Sequence, residues 1–147
     1  MKPVEFTSEQ LRELQLKELD TLVYFKEFCD KHNLLFYFCG GCCIGSLRNK
    51  GFIPWDDDID VFMPREDYEK LPELWAKYSD NDRFLCLKTN DDIFTGNIFT
   101  TIIDTKYTYV KANQAHLDLP FGLVMDVFPL DGCPDGFKRK IQNQIIN

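Results

Sequence analysis

The sequence predicts an α+β fold, a mixed sheet with flanking helices. Three observations lead there. A long stretch carries apolar residues at helical spacing. Short runs rich in aromatic and β-branched residues follow it. Between them, one run places acidic and apolar residues in strict alternation, which is the period of a strand with two different faces.

Thr7 or Ser8 can cap the first helix, with Glu9 and Gln10 in its first turn. Leu11, Leu14, Leu19, Leu22, Phe25 and Phe28 form one apolar stripe with charges opposite. The helix is expected over Ser8 to about His32, as a scaffold packed on the sheet, with Asn33 as its left-handed end. Leu34 to Cys39 is a continuous apolar run and reads as a buried strand. Gly40 and Gly41 turn the chain into a short helix over Cys42 to Asn49, with Ile44 and Leu47 inward. Strand, glycine turn and helix start together suit phosphate, because the backbone can approach closely and free N–H groups point outward.

Lys50-Gly51 is a turn, and Trp55 is expected to pack, although it could stack on a base. In Asp58-Ile59-Asp60-Val61-Phe62 the two acids share one strand face, with Ile59 and Val61 in the core. Pro64 ends that strand. Arg65 to Tyr78 is a helix with Tyr68, Leu71, Leu74 and Trp75 on its apolar side and Pro72 as a point of splitting or restart. Arg83 to Thr89 is a strand, and Asn97 to Asp104 with Lys106 to Lys111 reads as a hairpin. Gly122 to Phe128 is a further strand, with Val124, Asp126 and Phe128 on one face, so Asp126 is a lone acid among apolar residues. An amphipathic helix is expected from Phe137 to Ile146.

Composition narrows the class. The 147 residues suit one domain, and 44% hydrophobic with 28% charged content describes a globular chain. A net charge of -7 argues against broad nucleic-acid binding, which needs a basic footprint. No apolar run approaches the roughly 18 residues of a membrane helix, and the N-terminus lacks the apolar core of an export signal, so a cytoplasmic location is expected. Six cysteines are present, and Cys39-Gly40-Gly41-Cys42 matches a CxxC spacing. Without a second pair a four-ligand zinc site is not formed, and the cysteines read as small buried hydrophobes. His32 and His116 read as surface residues, and no GxSxG nucleophile turn, internal repeat or linker is present.

Three carboxylates on neighbouring strands facing a glycine turn suit phosphoryl chemistry. Two magnesium ions, with manganese as a substitute, could bridge Asp58, Asp60 and Asp126, activate an acceptor hydroxyl and offset the repulsion between the acids. The twelve-residue loop of the common calcium motif is absent.

The stretch GGCCIGSLRNKGFIPWDDDIDVFMPREDYEKL, followed later by VMDVFPLDG, resembles the signature of LicD-type phosphocholine transferases, which fukutin-related proteins share. The likeness runs from about Leu34 to Asp131, with the first helix less distinctive. It implies the polymerase-beta-like nucleotidyltransferase fold and a cytidine-diphosphate-alcohol donor, with CDP-choline first among the candidates. It implies transfer of the phospho-alcohol to a hydroxyl of a glycan precursor, such as a teichoic acid or lipopolysaccharide sugar, and release of CMP. Asp58 and Asp60 match the superfamily's metal pair, Asp126 its third carboxylate, and Gly40 and Gly41 its phosphate turn. Cys42, Ser46 and Arg48 complete the donor-side set, although relatives often carry Thr or Ser where this chain has Cys42.

Asp56 and Asp57 match the acidic run, and three roles stay open for them: holding a metal-bound water, orienting Arg48, or acting as acceptor base. LicD-like proteins usually continue well past the second motif. Residues 1–147 are therefore expected to be one domain, C-terminally incomplete on the acceptor side, with Ile141, Ile145 and Ile146 as a face for dimerisation. Peripheral contact with the inner face of the membrane is compatible with such an acceptor. Two alternatives remain: a transferase that leaves a nucleoside monophosphate on its acceptor and releases pyrophosphate, and a nucleotide-binding domain without turnover. Choline, ethanolamine, glycerol and ribitol are all open as the alcohol, and Tyr107, Tyr109 and Trp55 are the aromatic candidates for a quaternary ammonium.

Overall fold

The architecture is that of a computed structural model, which describes residues 6–110, 115–117 and 119–139. Helix α1 spans Ser8–His32, as the stripe predicts. Thr7 and Gln10 close a reciprocal capping box at its start, and Asn33 ends it at φ 54, in the left-handed region. Its buried face is not the leucine stripe alone. Leu14, Gln15, Glu18, Thr21, Phe25, Phe28 and Cys29 are buried, whereas Leu19 is exposed. The C-terminal half packs on the core, and the N-terminal half turns polar side chains inward.

Strand β1 (Tyr37–Phe38) is short, and both residues are exposed. The expected buried strand is therefore an edge strand, bonded on one side to β2. Helix α2 spans Gly40–Arg48, so the glycines form its first turn rather than a loop before it. Ile44 and Leu47, expected inward, are exposed. The inward residue is Gly45, where any Cβ would run into the backbone of Gly51 and Ile53. The helix is seated by backbone contact, and the larger side chains are left outside.

Strand β2 (Ile59–Pro64) leads directly into α3 (Arg65–Tyr78), which runs on through Pro72 without a break. Burial of Tyr68, Leu71 and Trp75 on both sides of the proline holds the helix. Strands β3 (Phe84–Leu87), β4 (Thr100–Asp104) and β5 (Leu123–Leu130) complete a sheet of order β1-β2-β5-β4-β3. The β2–β5 pair is parallel, and the other three pairs are antiparallel. The hairpin expected from Lys106 onward is not formed among the described residues. Both edges of β4 are already taken, by β3 and by β5, so no partner position is left. Lys111 lies outside the described residues, as does the last helix beyond Arg139, including Ile141, Ile145 and Ile146.

One face of the sheet carries the core. Ile59, Val61 and Met63 of β2, Met125 and Val127 of β5 and Ile102 of β4 pack with Phe25 and Phe28 of α1 and Leu71 and Trp75 of α3. Trp75 is fully buried, and its indole N–H donates to the Phe84 carbonyl at 2.9 Å. His32 is not a free surface residue: its ring stacks on Tyr78 at 4.9 Å and lies 4.5 Å from Phe28. His116 is exposed, as expected.

Candidate functional site

The opposite face carries the acids. Asp60 and Asp126 are register partners on adjacent parallel strands, and each alternates with core residues. Strand spacing puts their backbones about 4.8 Å apart, with both side chains directed away from the core. Asp126 is only 8% exposed. Its Oδ1 accepts a hydrogen bond from Thr101 Oγ1 at 2.9 Å, and Thr101 is its register partner on β4. Thus β4, β5 and β2 place a threonine hydroxyl and two carboxylates side by side. Asp58 lies one residue before β2 and is exposed.

The start of α2 is fastened to this strand. Cys39 N–H donates to the Asp60 carbonyl at 3.1 Å. Asp60 N–H donates to Cys42 Sγ at 3.4 Å, and the Cys42 thiol reaches the Asp58 carbonyl at 3.8 Å. Cys42 therefore faces the acidic strand, and its side chain latches the backbone of Asp60. Burial pushes its thiol up to about 11, with the neighbouring Asp60, Asp56 and Asp58 charges adding to the rise and the Asp60 N–H opposing it. Cys39 is also raised, first by burial and then by Asp60. Raised thiols of this kind are weak nucleophiles near neutral pH. Cys29 and Cys86 sit in or against the core, whereas Cys43 and Cys133 are exposed and depart from the buried reading.

Gly40 adopts φ 48, a conformation that favours glycine, and its side-chain position opens toward the Asp60 carboxylate. A Cβ on Gly41 would overlap the Asp56 carboxylate. Asp56 thus rests against the first turn of α2, where helix N–H groups favour an anion. Its carboxyl is nevertheless raised, by burial first and by the Asp57 charge second. The acidic loop is held from behind by Gln15, a residue the hydrophobic pattern did not single out. Gln15 is 2% exposed, and its Nε2 donates to the carbonyls of Ile53 at 3.1 Å and Asp56 at 2.9 Å.

Two donor-side candidates are not brought to this point. Ser46 bonds back to the Cys43 carbonyl at 2.8 Å and lines a cavity of about 290 Å³ between α1 and α2. Arg48 ends α2 and is exposed, roughly 12 Å along the helix axis from Gly40. The aromatic candidates separate as well. Trp55, expected to pack, is 79% exposed. Tyr107 has Lys17 and Lys106 over its ring, at 5.2 and 5.3 Å from the centroid. Tyr109 is half-buried and raised above the ordinary phenol value by burial, then by the charges of Asp57, Glu18 and Asp58.

Among the described residues, no three His, Cys, Asp or Glu side chains are drawn together as a ready-made metal cage. The donor set still suits a hard cation, because paired carboxylates lie beside a helix start that would hold an anion. Phosphate oxygens placed between that turn and Asp60 would meet like charge unless a cation lay between them.

Residues 33–134 match the family model of the LicD/FKTN/FKRP nucleotidyltransferase domain. The chain belongs to the LicD family. The matched span contains Gly40, Gly41, Asp56, Asp57, Asp58, Asp60 and Asp126. The chain is 36% identical over 130 residues to a lipopolysaccharide cholinephosphotransferase of Haemophilus influenzae, covering 85% of this chain and 46% of that protein. It is 26% identical over 105 residues to an uncharacterised protein of Rickettsia prowazekii, covering 62% of this chain and 40% of that one. This LicD domain thus spans less than half the length of these curated relatives.

Proposed function

We propose that this LicD-family chain transfers a phospho-alcohol, phosphocholine in the first place, from a CDP-alcohol to a hydroxyl of a cell-surface glycan precursor, releasing CMP. The observation that carries this reading is the register pairing of Asp60 and Asp126 beside the glycine start of α2. The Haemophilus relative, by its name a lipopolysaccharide cholinephosphotransferase, supports phosphocholine as the group and a lipopolysaccharide-type glycan as the acceptor.

Asp60 and Asp126 would hold magnesium or manganese, with Asp58 alongside, and the donor's phosphate oxygens would complete the shell. An ion held there would supply charge neutralisation on the phosphoryl group and its leaving side. The N–H groups of the first turn of α2 bind the donor phosphate. Thr101 donates to one oxygen of Asp126 and so orients the carboxylate that would hold the ion. The acceptor oxygen forms a bond to the choline-bearing phosphorus, the bond from that phosphorus to the bridging oxygen breaks, and CMP leaves with the electron pair. The acceptor's proton passes to a carboxylate of the exposed acidic loop, for which Asp57 is the accessible candidate. Among the described residues no helix is long and apolar enough to cross a membrane. We place the reaction at the cytoplasmic face, where glycan precursors and nucleotide donors meet.

The test is CMP release from CDP-choline with a lipooligosaccharide acceptor and magnesium, beside calorimetric titration of CDP-choline. Asp60→Asn is expected to lower turnover at least about 100-fold and to abolish the magnesium dependence of binding. Pyrophosphate release from CTP without CMP release from CDP-choline would support the nucleotidyl-transfer alternative. Magnesium-dependent binding with no release of CMP to any acceptor would support a domain without turnover.

A further inference from the structure

The cavity between α1 and α2 lies outside the carboxylate site, and the transfer chemistry makes no use of it. It measures about 290 Å³, space for roughly ten waters. Leu19 and Leu22 of α1, Phe38 of β1, Phe52 and Ile59 of β2 line it. Leu22 and Phe52 also pack against the core, so the cavity is a recess in the edge of the core.

The charge at this recess runs against that of the whole protein. Among the described residues, Arg12 and Lys50 line it and no Asp or Glu does, although the net charge is -7. None of Asp56, Asp58 and Asp60, the acids around Cys42, belongs to the lining. Both cations are exposed, at the rim. Arg12 Nη1 donates to Gln15 Oε1 at 3.1 Å, which holds the guanidinium there. Lys50 is held by its backbone. It adopts φ 54 just past the end of α2, a position that usually goes to glycine or asparagine. Glycine stands one residue later, and Gly51 N–H closes the helix end on the Gly45 carbonyl at 3.3 Å. The sequence thus keeps a lysine where a glycine would be relaxed. Arg48, exposed two residues before Lys50, adds a third cation at this end of α2. Leu16 and Val23 are exposed and share the helix face of Leu19, from which they stand three and four residues away.

An apolar recess with a cationic rim and exposed apolar flanks fits an aliphatic chain that ends in an anionic head. Inorganic phosphate would use the rim and not the walls, and a neutral apolar segment would use the walls and not the rim. Exposed leucine and valine beside the mouth suit the boundary between lipid heads and acyl chains. We propose that this recess takes one acyl chain of an anionic membrane lipid, with Arg12 and Lys50 on the head group. Attachment is peripheral, since among the described residues no helix is long and apolar enough to cross a membrane. The inference goes beyond the transferase reading and does not need it.

The test is co-sedimentation of the full chain with vesicles of phosphatidylcholine alone and of phosphatidylcholine with phosphatidylglycerol. Binding is expected to be at least about tenfold tighter to the anionic vesicles. Lys50→Gly should weaken it about fivefold, the usual weight of one basic residue near such a surface. Its unfolding midpoint should hold or rise, because glycine accepts the left-handed backbone. A lysine with a merely structural role would give the opposite pair of results. Entry of the acyl chain is read from Phe38→Trp, whose fluorescence should be quenched by lipids brominated along the chain, beyond the change seen for the parent. Equal binding to both vesicles, binding to neither, or anionic binding without quenching overturns the inference. So does a dimer whose formation excludes the vesicles, which would assign the recess to a second copy. Vesicle binding without CMP release leaves this inference standing and counts against the transferase reading alone.

Discussion

The two faces of the sheet differ in what each residue depends on, and neighbouring threonines of β4 show how. Thr100 Oγ1 donates to the Tyr68 hydroxyl at 2.9 Å inside the helix-covered core. Thr101 Oγ1 donates to Asp126 at the same distance of 2.9 Å on the acid-bearing face. On the covered face, a side chain is held by many apolar neighbours, and its loss is a loss of packing. On the acid-bearing face, Thr101 is bonded to a candidate site carboxylate, and its loss is also a loss of orientation. Strand alternation separates the two jobs by a single peptide unit, so stability and chemistry should be separable by mutation.

The largest effect breaks the covered face alone. Trp75 is fully buried and touches the rings of Phe28, at 4.5 Å between centroids, and Tyr24, at 5.8 Å. Trp75→Ala should cost about 3–5 kcal/mol in denaturant unfolding. In the fraction that remains folded, affinity for magnesium and donor should be nearly unchanged. A Trp75→Ala protein that folds well and binds no donor would break the separation.

The threonine pair is the sharper instrument, because the chemical change is the same at both sites. Thr100→Val should lower unfolding free energy by about 1–2 kcal/mol, through the hydrogen bond lost at buried Tyr68, with turnover intact. Thr101→Val should lower the unfolding free energy by a similar amount, because buried Asp126 loses a hydrogen bond, and should in addition weaken magnesium-supported CMP release by about 10–100-fold, the usual cost of freeing a metal-binding carboxylate. Equal effects of the two variants on turnover would mean that Asp126 is oriented by something other than Thr101.

Much of this division was legible in the sequence, for reasons that particular residues make plain. The bounds of α1 followed from Thr7, Gln10 and Asn33, whose capping chemistry is local. The placement of Asp126 among core residues followed from strand alternation, which is also local. What was missed depended on partners far along the chain. Gln15, Glu18 and Thr21 look like solvent-facing polar residues, yet they continue the spacing of Phe25 and Phe28 toward the N-terminus and are buried against other elements. That continuation was the available signal. The inward face of α2 gave the opposite error. Ile44 and Leu47 are apolar but exposed, because Gly45 brings the helix against the backbone at Gly51. Periodicity reports where apolar side chains lie on a helix, and it is silent where the contact is made by the absence of one. Thr101 could not be paired with Asp126 from spacing, since a register across strands is a tertiary fact.

The smallest effect tests the seam between the two faces, at Asp56. Its carboxyl is raised by burial and by Asp57, so the folded chain holds the proton more tightly than the unfolded chain does. For an acid shifted this way, the folded state is favoured at low pH and loses stability as pH rises from the ordinary carboxylate range through the raised folded value. Asp56→Asn removes that loss. The variant should be slightly more stable than the parent near neutral pH, and the advantage should fade below the ordinary carboxylate range, as chemical unfolding across pH would show. Magnesium should narrow the advantage from the other side, since a cation near the acidic loop stabilises the ionised Asp56 and leaves Asn indifferent. A variant less stable than the parent at neutral pH would mean that the ionised carboxylate serves chiefly as an anion at the start of α2, with the helix N–H groups outweighing its burial. The pH profile and the magnesium response together decide whether Asp56 belongs to the scaffold or to the charge balance of the site.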